Sequence, residues 1–235
     1  TAILTILNHQ CLIATKASRV VYAAQGDGIM EFGLRRAQGP DAGLYGARAA
    51  VIGGCVGTSN VLAGEMFDVP IMGTHAHSWI MTFKDEYTAF KEYARLYPDA
   101  CTLLVDTYDT LKSGVPNAIR VFTEMREAGI KPKSYGIRLD SGDLAYLSKK
   151  ARKMLDDAGF QDAVIAASND LDEFLIHDLK MQGAAISSWG VGTNLITSKD
   201  CPSFGGVYKL AAIQNAEGEF QPKIKISENI EKITN

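Results

Sequence analysis

Arg138 and Asp140 stand two residues apart in Ser134-Tyr-Gly-Ile-Arg-Leu-Asp-Ser-Gly-Asp143, alternating with Ile137 and Leu139. On an extended strand that spacing sends both side chains to one side, at the carboxyl end. An arginine fork there can hold a carboxylate or phosphate. An aspartate beside it can take a ribose hydroxyl or a hydrated Mg²⁺ ion. A surface salt bridge, with Asp140 or Ser141 capping the next helix, reads the same way. Asp143, Asn169 and Asp170 carry similar oxygen donors and are equally suited to capping.

His75 and His77 also stand two apart, and on an extended segment they would share a side. One reading is a metal pair, which needs further ligands from later strands. The remaining histidines, His9 and His177, fall inside predicted helices. A single reactive histidine, acting as nucleophile or phosphate acceptor beside a carboxylate, fits the sequence better. Asp106, in Asp106-Thr-Tyr-Asp109, is its candidate orienting partner. Gly190-Val-Gly-Thr193 offers backbone N–H groups with little side-chain obstruction, which suits either phosphate or a tight turn. No G-x-x-x-x-G-K-[ST] sequence occurs, so a P-loop is not indicated.

These residues need elements to position them. Residues from Thr1 to about Val21 lack Gly and Pro and predict a helix that is apolar on several faces, hence buried. Glu31-Phe-Gly-Leu-Arg-Arg36 reads as a short polar-ended segment, 38–43 as a loop, and Gly53–Asn60 as a glycine-rich stretch leading into a short helix that ends near Phe67. From there strands alternate with helices. Strands are predicted at 69–73, 101–105, 135–139, 163–167 and 184–188, and helices at about 85–97, 116–129, after Asp143 up to Gly159, and up to about Gly183. A sixth strand, 206–213, alternates more like an antiparallel one, and a Lys223-Ile-Lys-Ile segment and charged tail follow. Units of about thirty residues or fewer argue for parallel βαβ connections. Five successive strands end in polar or glycine-rich clusters, and parallel strands place such ends on one face, where α/β enzymes carry their sites.

With 235 residues, 46% hydrophobic and 22% charged, the chain has the composition of one large or two small globular domains. A formal charge of −3 without Lys/Arg runs leaves no electrostatic footprint for nucleic acid. No apolar run approaches a membrane span, and no signal peptide opens the chain. Cys11, Cys55, Cys101 and Cys201 are widely spaced with no C-x-x-C pair, which predicts reduced thiols in a cytoplasmic protein. Thr1-Ala-Ile-Leu4 starts inside a helical pattern, and Ile233-Thr-Asn235 stops without a closing element. The sequence therefore reads as an internal piece of a longer protein.

Four motifs together carry a resemblance through essentially the whole chain: Glu31-Phe-Gly-Leu-Arg-Arg-Ala-Gln-Gly39, Gly73-Thr-His-Ala-His-Ser78, Arg138-Leu-Asp-Ser-Gly-Asp143 and Gly205-Gly-Val-Tyr-Lys-Leu210. They resemble the nicotinate phosphoribosyltransferase family. The resemblance implies an irregular (β/α) barrel of the type II phosphoribosyltransferase kind with part of a flanking α/β domain. Residues 1–20 would be a junction helix, 21–205 the catalytic barrel and 206–235 the start of a carboxyl-terminal flanking segment. The implied reaction joins nicotinate to phosphoribosyl pyrophosphate, giving nicotinate mononucleotide and pyrophosphate in the salvage route of NAD biosynthesis. It uses Mg²⁺, with ATP as co-substrate coupled through a phosphohistidine, in a homodimer with shared active sites.

Motif by motif, His77 matches the phosphorylated histidine and Asp106 the acid that orients it. Arg138 and Asp140 match the residues at the pyridine and ribose. Ser168 and Asn169 match the ribose or its phosphate more loosely, and Gly190, Gly192 and Thr193 match the 5′-phosphate cradle. Phe32 resembles the aromatic that stacks on the pyridine, and Arg35 a basic neighbour serving the partner subunit's site. The sister enzyme that uses nicotinamide carries an Asp near Ser59, where this chain has Ser59-Asn60, which favours nicotinate over nicotinamide. Two other classes stay open: a non-catalytic nucleotide-binding fragment, and a metal-dependent barrel hydrolase built on His75 and His77.

Overall fold

A run free of glycine and proline, Ala2–Ala23, forms α1 in a computed structural model that describes residues 1–226 and 228–229. Only one side of its carboxyl-terminal half is buried, through Ile13, Ala17 and Val20, while Ile3, Ile6 and Leu7 are exposed. The helix therefore lies against the core rather than being enclosed on several faces. Strand β1 (Gly28–Glu31), helix α2 (Pro40–Ile52), the two-residue strand β2 (Gly57–Thr58) and helix α3 (Val61–Phe67) follow. Pro40 sits in the first turn of α2, where its missing N–H costs nothing. Next come the short α4 (His77–Met81), then α5 (Glu86–Leu96), capped by Asp85, and β3 (Ala100–Leu104).

Helix α6 (Val115–Glu127) is entered through a wide turn, Thr110–Gly114, capped by Asp109. Strand β4 (Ser134–Leu139), α7 (Leu144–Asp157), β5 (Val164–Ala167), α8 (Glu173–Met181), β6 (Ser188–Val191) and α9 (Thr193–Ile196) complete the alternation. The last pair, β7 (Ala212–Gln214) and β8 (Phe220–Pro222), is an antiparallel hairpin of its own.

Six strands form one all-parallel sheet in the order β2-β1-β6-β5-β4-β3. It curls into a half-barrel with helices outside, the mixed α/β barrel architecture expected. Leu103, Ile137, Leu139, Ile165, Trp189 and Val191 on its strands are essentially sealed from solvent. Each such side chain contributes roughly 1.5–3 kcal/mol by leaving water. Trp189 also donates its indole N–H to Asp27 (2.9 Å), which Lys180 pairs at 2.7 Å, pinning α8 to the start of β1.

Several predicted elements move. Val69–Gly73 is not a strand and makes one bridge, Ile71 with Thr58, because its neighbour β2 is only two residues long. The strand predicted at 184–188 lies instead at 188–191, so the glycine pair begins inside it. Residues 28–31 and 57–58 are strands where the sequence predicts none. The antiparallel strand predicted at 206–213 shrinks to 212–214. Helix α7 is capped by Asp143, whose carboxylate accepts from Tyr146 N at 2.9 Å, not by Asp140 or Ser141. Most of the predicted charged tail, residues 230–235, lies outside the described residues, as does Ser227.

Candidate active site

Because the sheet is parallel throughout, the ends of its strands open on one face. There they line a cavity of about 480 Å³. Phe32 and Arg35 come from the exit of β1, Ser59 from β2 and Arg138 with Asp140 from β4. Ser168 and Asn169 come from β5, and Gly190, Gly192 and Thr193 from β6. His77 and Asp106 do not line the cavity; they stand behind Asp140, which does.

Arg138 is the hub. Its Nε donates to Ser168 Oγ (3.0 Å), Nη1 to Thr74 Oγ1 and to the carbonyl of His75 (3.3 Å), and Nη2 to Asp140 Oδ1 (3.4 Å). Ser168 in turn donates to Asp140 Oδ1. The guanidinium lies 6.0 Å from the centre of the Phe32 ring, within cation–π range. That ring rests on Gly190, where a Cβ would stand 2.5 Å from two ring carbons. Arg138 and Asp140 thus lie side by side at the end of β4, and the arginine is fixed by partners from three other segments.

His77 opens α4. Its Nδ1 lies 3.0 Å from Thr107 Oγ1, and its Nε2 faces Asp140 Oδ2 at 3.7 Å and Asp106 Oδ1 at 4.0 Å. The Asp106 carboxylate is almost fully buried. Its Oδ2 accepts from Asp140 N (2.8 Å) and Ser141 Oγ (2.6 Å). Its Oδ1 has no hydrogen-bond partner among the described residues. Asp106 therefore aligns the Asp140 loop directly and turns an unspent oxygen towards the imidazole. A half-exposed imidazole between two carboxylates can act as a nucleophile or take up a proton.

His75 and His77 do not share a side. Ala76 is the extended N-cap of α4, so the chain turns between them, and His75 points inward. There it is buried, with its ring edge-on to Tyr93 at 4.6 Å, and its Nε2 accepts from Leu104 N (3.2 Å). Burial holds its pKa down to about 4, with Arg138 and His77 nearby adding to the effect and the Ala76 carbonyl opposing it. A metal pair on these two side chains is incompatible with this geometry. Among the described residues no group of three or more His, Cys, Asp and Glu is arranged around a common metal position.

Sequence reasoning missed several contributors. Thr107 holds His77, Thr74 holds Arg138, and Arg36 lines the cavity beside Arg35. Asn194, buried behind the β6 exit, donates to the carbonyls of Asp170 (2.8 Å) and Leu171 (3.1 Å). It steadies a loop in which Asn169 and Asp170 both have positive φ (100° and 39°), a conformation non-glycine residues rarely adopt. Thr107, Thr74, Arg36 and Glu31 sit inside motifs already singled out, and that adjacency was the available signal.

The sequence model of the nicotinate phosphoribosyltransferase (NAPRTase) family matches residues 28–234. The chain belongs to this family. It is 58% identical over 234 residues to nicotinate phosphoribosyltransferase of Bacillus subtilis (strain 168), covering all of this chain and 47% of that protein. It is 41% identical over 280 residues to the Dictyostelium discoideum enzyme of the same name, covering 100% of this chain and 46% of that protein. Among solved structures, human nicotinic acid phosphoribosyltransferase superposes with a TM-score of 0.74 at 30% identity, over 82% of this chain and 49% of that one. The nicotinate-nucleotide pyrophosphorylase of Pyrococcus furiosus gives 0.69 at 29% identity, over 84% and 49%. The fold is accordingly that of the type II phosphoribosyltransferases. The chain spans about half the length of these relatives.

Proposed function

We propose that this chain carries the catalytic barrel of a nicotinate phosphoribosyltransferase. It would transfer phosphoribosyl from phosphoribosyl pyrophosphate to nicotinate, forming nicotinate mononucleotide and pyrophosphate, coupled to ATP through His77. The observation that carries this reading is the Arg138–Asp140–Ser168 network at one wall of the cavity, with His77 poised against the far side of Asp140.

Bond cleavage at the ribosyl carbon builds positive charge on the sugar and negative charge on the departing pyrophosphate. A carboxylate held in place beforehand, as Asp140 is, stabilises the former without reorganising. Arg138 and the Phe32 ring suit the acceptor and ribose, Ser168 and Asn169 the ribose, and Gly190, Gly192 and Thr193 the 5′-phosphate. A His77 ring nitrogen would take the γ-phosphoryl group of ATP, forming an N–P bond as ADP leaves. Later hydrolysis of that bond would drive product release. Three arginines line the cavity against two aspartates, which favours the anionic nicotinate over nicotinamide, and no carboxylate stands at Ser59.

Mg²⁺ would be held chiefly by the substrate phosphates, with Asp140 the carboxylate that faces them. Asp140 presents a hard carboxylate oxygen to the cavity and would be the protein's ligand to an ion whose shell phosphates and waters complete. Bound there, the ion would neutralise charge developing on pyrophosphate. Arg35 and Arg36 are exposed and have no acidic partner among the described residues, which supports a homodimer in which Arg35 reaches the partner subunit's site. Four free thiols fit a cytoplasmic setting, and among the described residues no helix is long and apolar enough to cross a membrane.

A product assay with nicotinate, nicotinamide and quinolinate in parallel, with and without ATP, tests the reading. Nicotinate mononucleotide should form, faster with ATP, and His77→Ala should abolish transfer of label from ATP to protein. ATP coupling that stays stoichiometric in His77→Ala would remove the phosphohistidine from the mechanism.

A further inference from the structure

Glu31 ends β1 with a carboxyl group that is wholly buried and lines no part of the cavity, although the next residue, Phe32, does. One of its oxygens accepts from the backbone N–H of Gly33, and the other accepts from Thr58 Oγ1 at 2.6 Å. The Thr58 hydroxyl has one proton. Its oxygen already accepts from Asn60 N (3.0 Å), so the proton is the one given to Glu31. Both carboxyl oxygens therefore act as acceptors: burial pushes the Glu31 pKa up, and the hydrogen bonds from Thr58 and Gly33 oppose that by favouring the ionised form.

The relay continues outward. Asn60 caps α3 through Ala63 N (3.2 Å) and donates to the carbonyl of Gly43 in α2 (3.2 Å). Ser59 N donates to the Glu31 carbonyl at 3.0 Å, and Phe32 N to the Val191 carbonyl at 2.8 Å. At Gly33 a Cβ would lie 2.3 Å from Ile196 Cβ and 2.8 Å from the Glu31 oxygen, so the chain passes as close to the carboxylate as it can.

We propose that Glu31 is a positioning residue for the acceptor end of the pocket. Its carboxylate locks the β1 exit, Phe32–Gly33, to the β2 exit, Thr58–Asn60, and so sets the gap between the Phe32 ring and Ser59 that receives the pyridine. This rests on the functional reading above. A buried ion that served only to hold two strands together would be a poor device, since apolar packing does that at least as well. An ion with two directed acceptors fixes orientation, which is what an aromatic wall beside Gly190 requires.

The test is steady-state kinetics of the full chain with nicotinate, phosphoribosyl pyrophosphate and ATP varied in turn. Glu31→Gln replaces one acceptor by a donor that opposes Gly33 N–H or Thr58 O–H. It should raise the nicotinate KM by about tenfold, the scale of one lost charge-assisted hydrogen bond. The KM for phosphoribosyl pyrophosphate and ATP-dependent labelling of His77 should stay near wild type. Thr58→Val should reproduce that split and Thr58→Ser should reverse it. The double variant should be no worse than either single one, because both remove the same link. If Glu31→Gln does not fold, the two Thr58 variants decide.

A nicotinate KM unchanged in the variants, or equal losses for all three substrates, overturns the inference while leaving the wild-type activity standing. A wild type that neither turns over nor binds nicotinate overturns the functional reading and this inference with it.

Discussion

His75 gives the sharpest stability test, because its environment penalises one protonation state. The imidazole is buried against Tyr93 and Phe90, its Nε2 accepts from Leu104 N, and the Arg138 guanidinium and the His77 ring lie nearby. Protonation would turn that acceptor into a donor facing another donor, and would add charge next to a guanidinium. The pKa is accordingly held down to about 4 from the ordinary 6.5, with burial the first cause.

In the unfolded chain His75 takes up a proton near pH 6.5, while in the fold it resists until about pH 4. Its contribution to stability is therefore complete above 6.5 and disappears as pH falls through that window. The slope is about 1.4 kcal/mol per pH unit and the total about 3 kcal/mol at most. Urea denaturation of wild type and His75→Gln at half-unit steps from pH 7.5 to about 4.5 measures it. Glutamine puts a neutral oxygen roughly where Nε2 stands, keeping the bond to Leu104 and removing the titration. The wild-type minus variant difference should shrink steadily from pH 6.5 downward. Parallel curves would show that His75 is not a buried neutral base, and would refute the inward orientation from which the metal pair was rejected.

Three further outcomes follow from the geometry. Gly190→Ala should force the Phe32 ring aside, since its Cβ would stand 2.5 Å from the ring, costing about 1–3 kcal/mol in thermal denaturation. It should also raise the nicotinate KM. Asp106→Asn keeps an acceptor for Asp140 N but removes the charge facing His77, so kcat and ATP-dependent labelling should fall about 10²-fold or more in a correctly folded protein. A fold lost together with activity would make Asp106 structural. Thiol titration of the native chain should modify Cys11 and Cys201 rapidly and Cys55 and Cys101 only on unfolding. Burial pushes the latter two thiols up to about 12, and Cys55 also feels the Glu31 charge.

The alternation of helices with parallel strands was legible because it rests on local pattern. Amphipathic α5, α6 and α7 each have a capping or first-turn residue where the sequence shows one, and β3, β4 and β5 are short apolar runs between turns. Elements decided by non-local contact were misread. Strand β1 ends in a glutamate that the sequence marks as exposed and the fold buries, because its partners, Gly33 and Thr58, come from a backbone turn and another strand. Strand β6 takes in Gly190, a turn residue by type, because the Phe32 ring occupies the space a side chain would need.

The pairing of Arg138 with Asp140 needed only the two-residue repeat of a strand, and the sequence by itself determined it. The same repeat failed for His75 and His77, because a helix begins between them, burying one ring and leaving the other half-exposed beside Asp140 and Asp106. Sequence also named ten of the residues that line that cavity, through motifs that resemble a family. Only the tertiary structure decided what holds them. Thr107 against His77, Thr74 against Arg138, Asn194 under the Asn169 loop and Glu31 against Thr58 all join segments far apart in the chain. Hydrogen-bond partners of that kind are fixed by how strands stack, and no local period in the sequence encodes them.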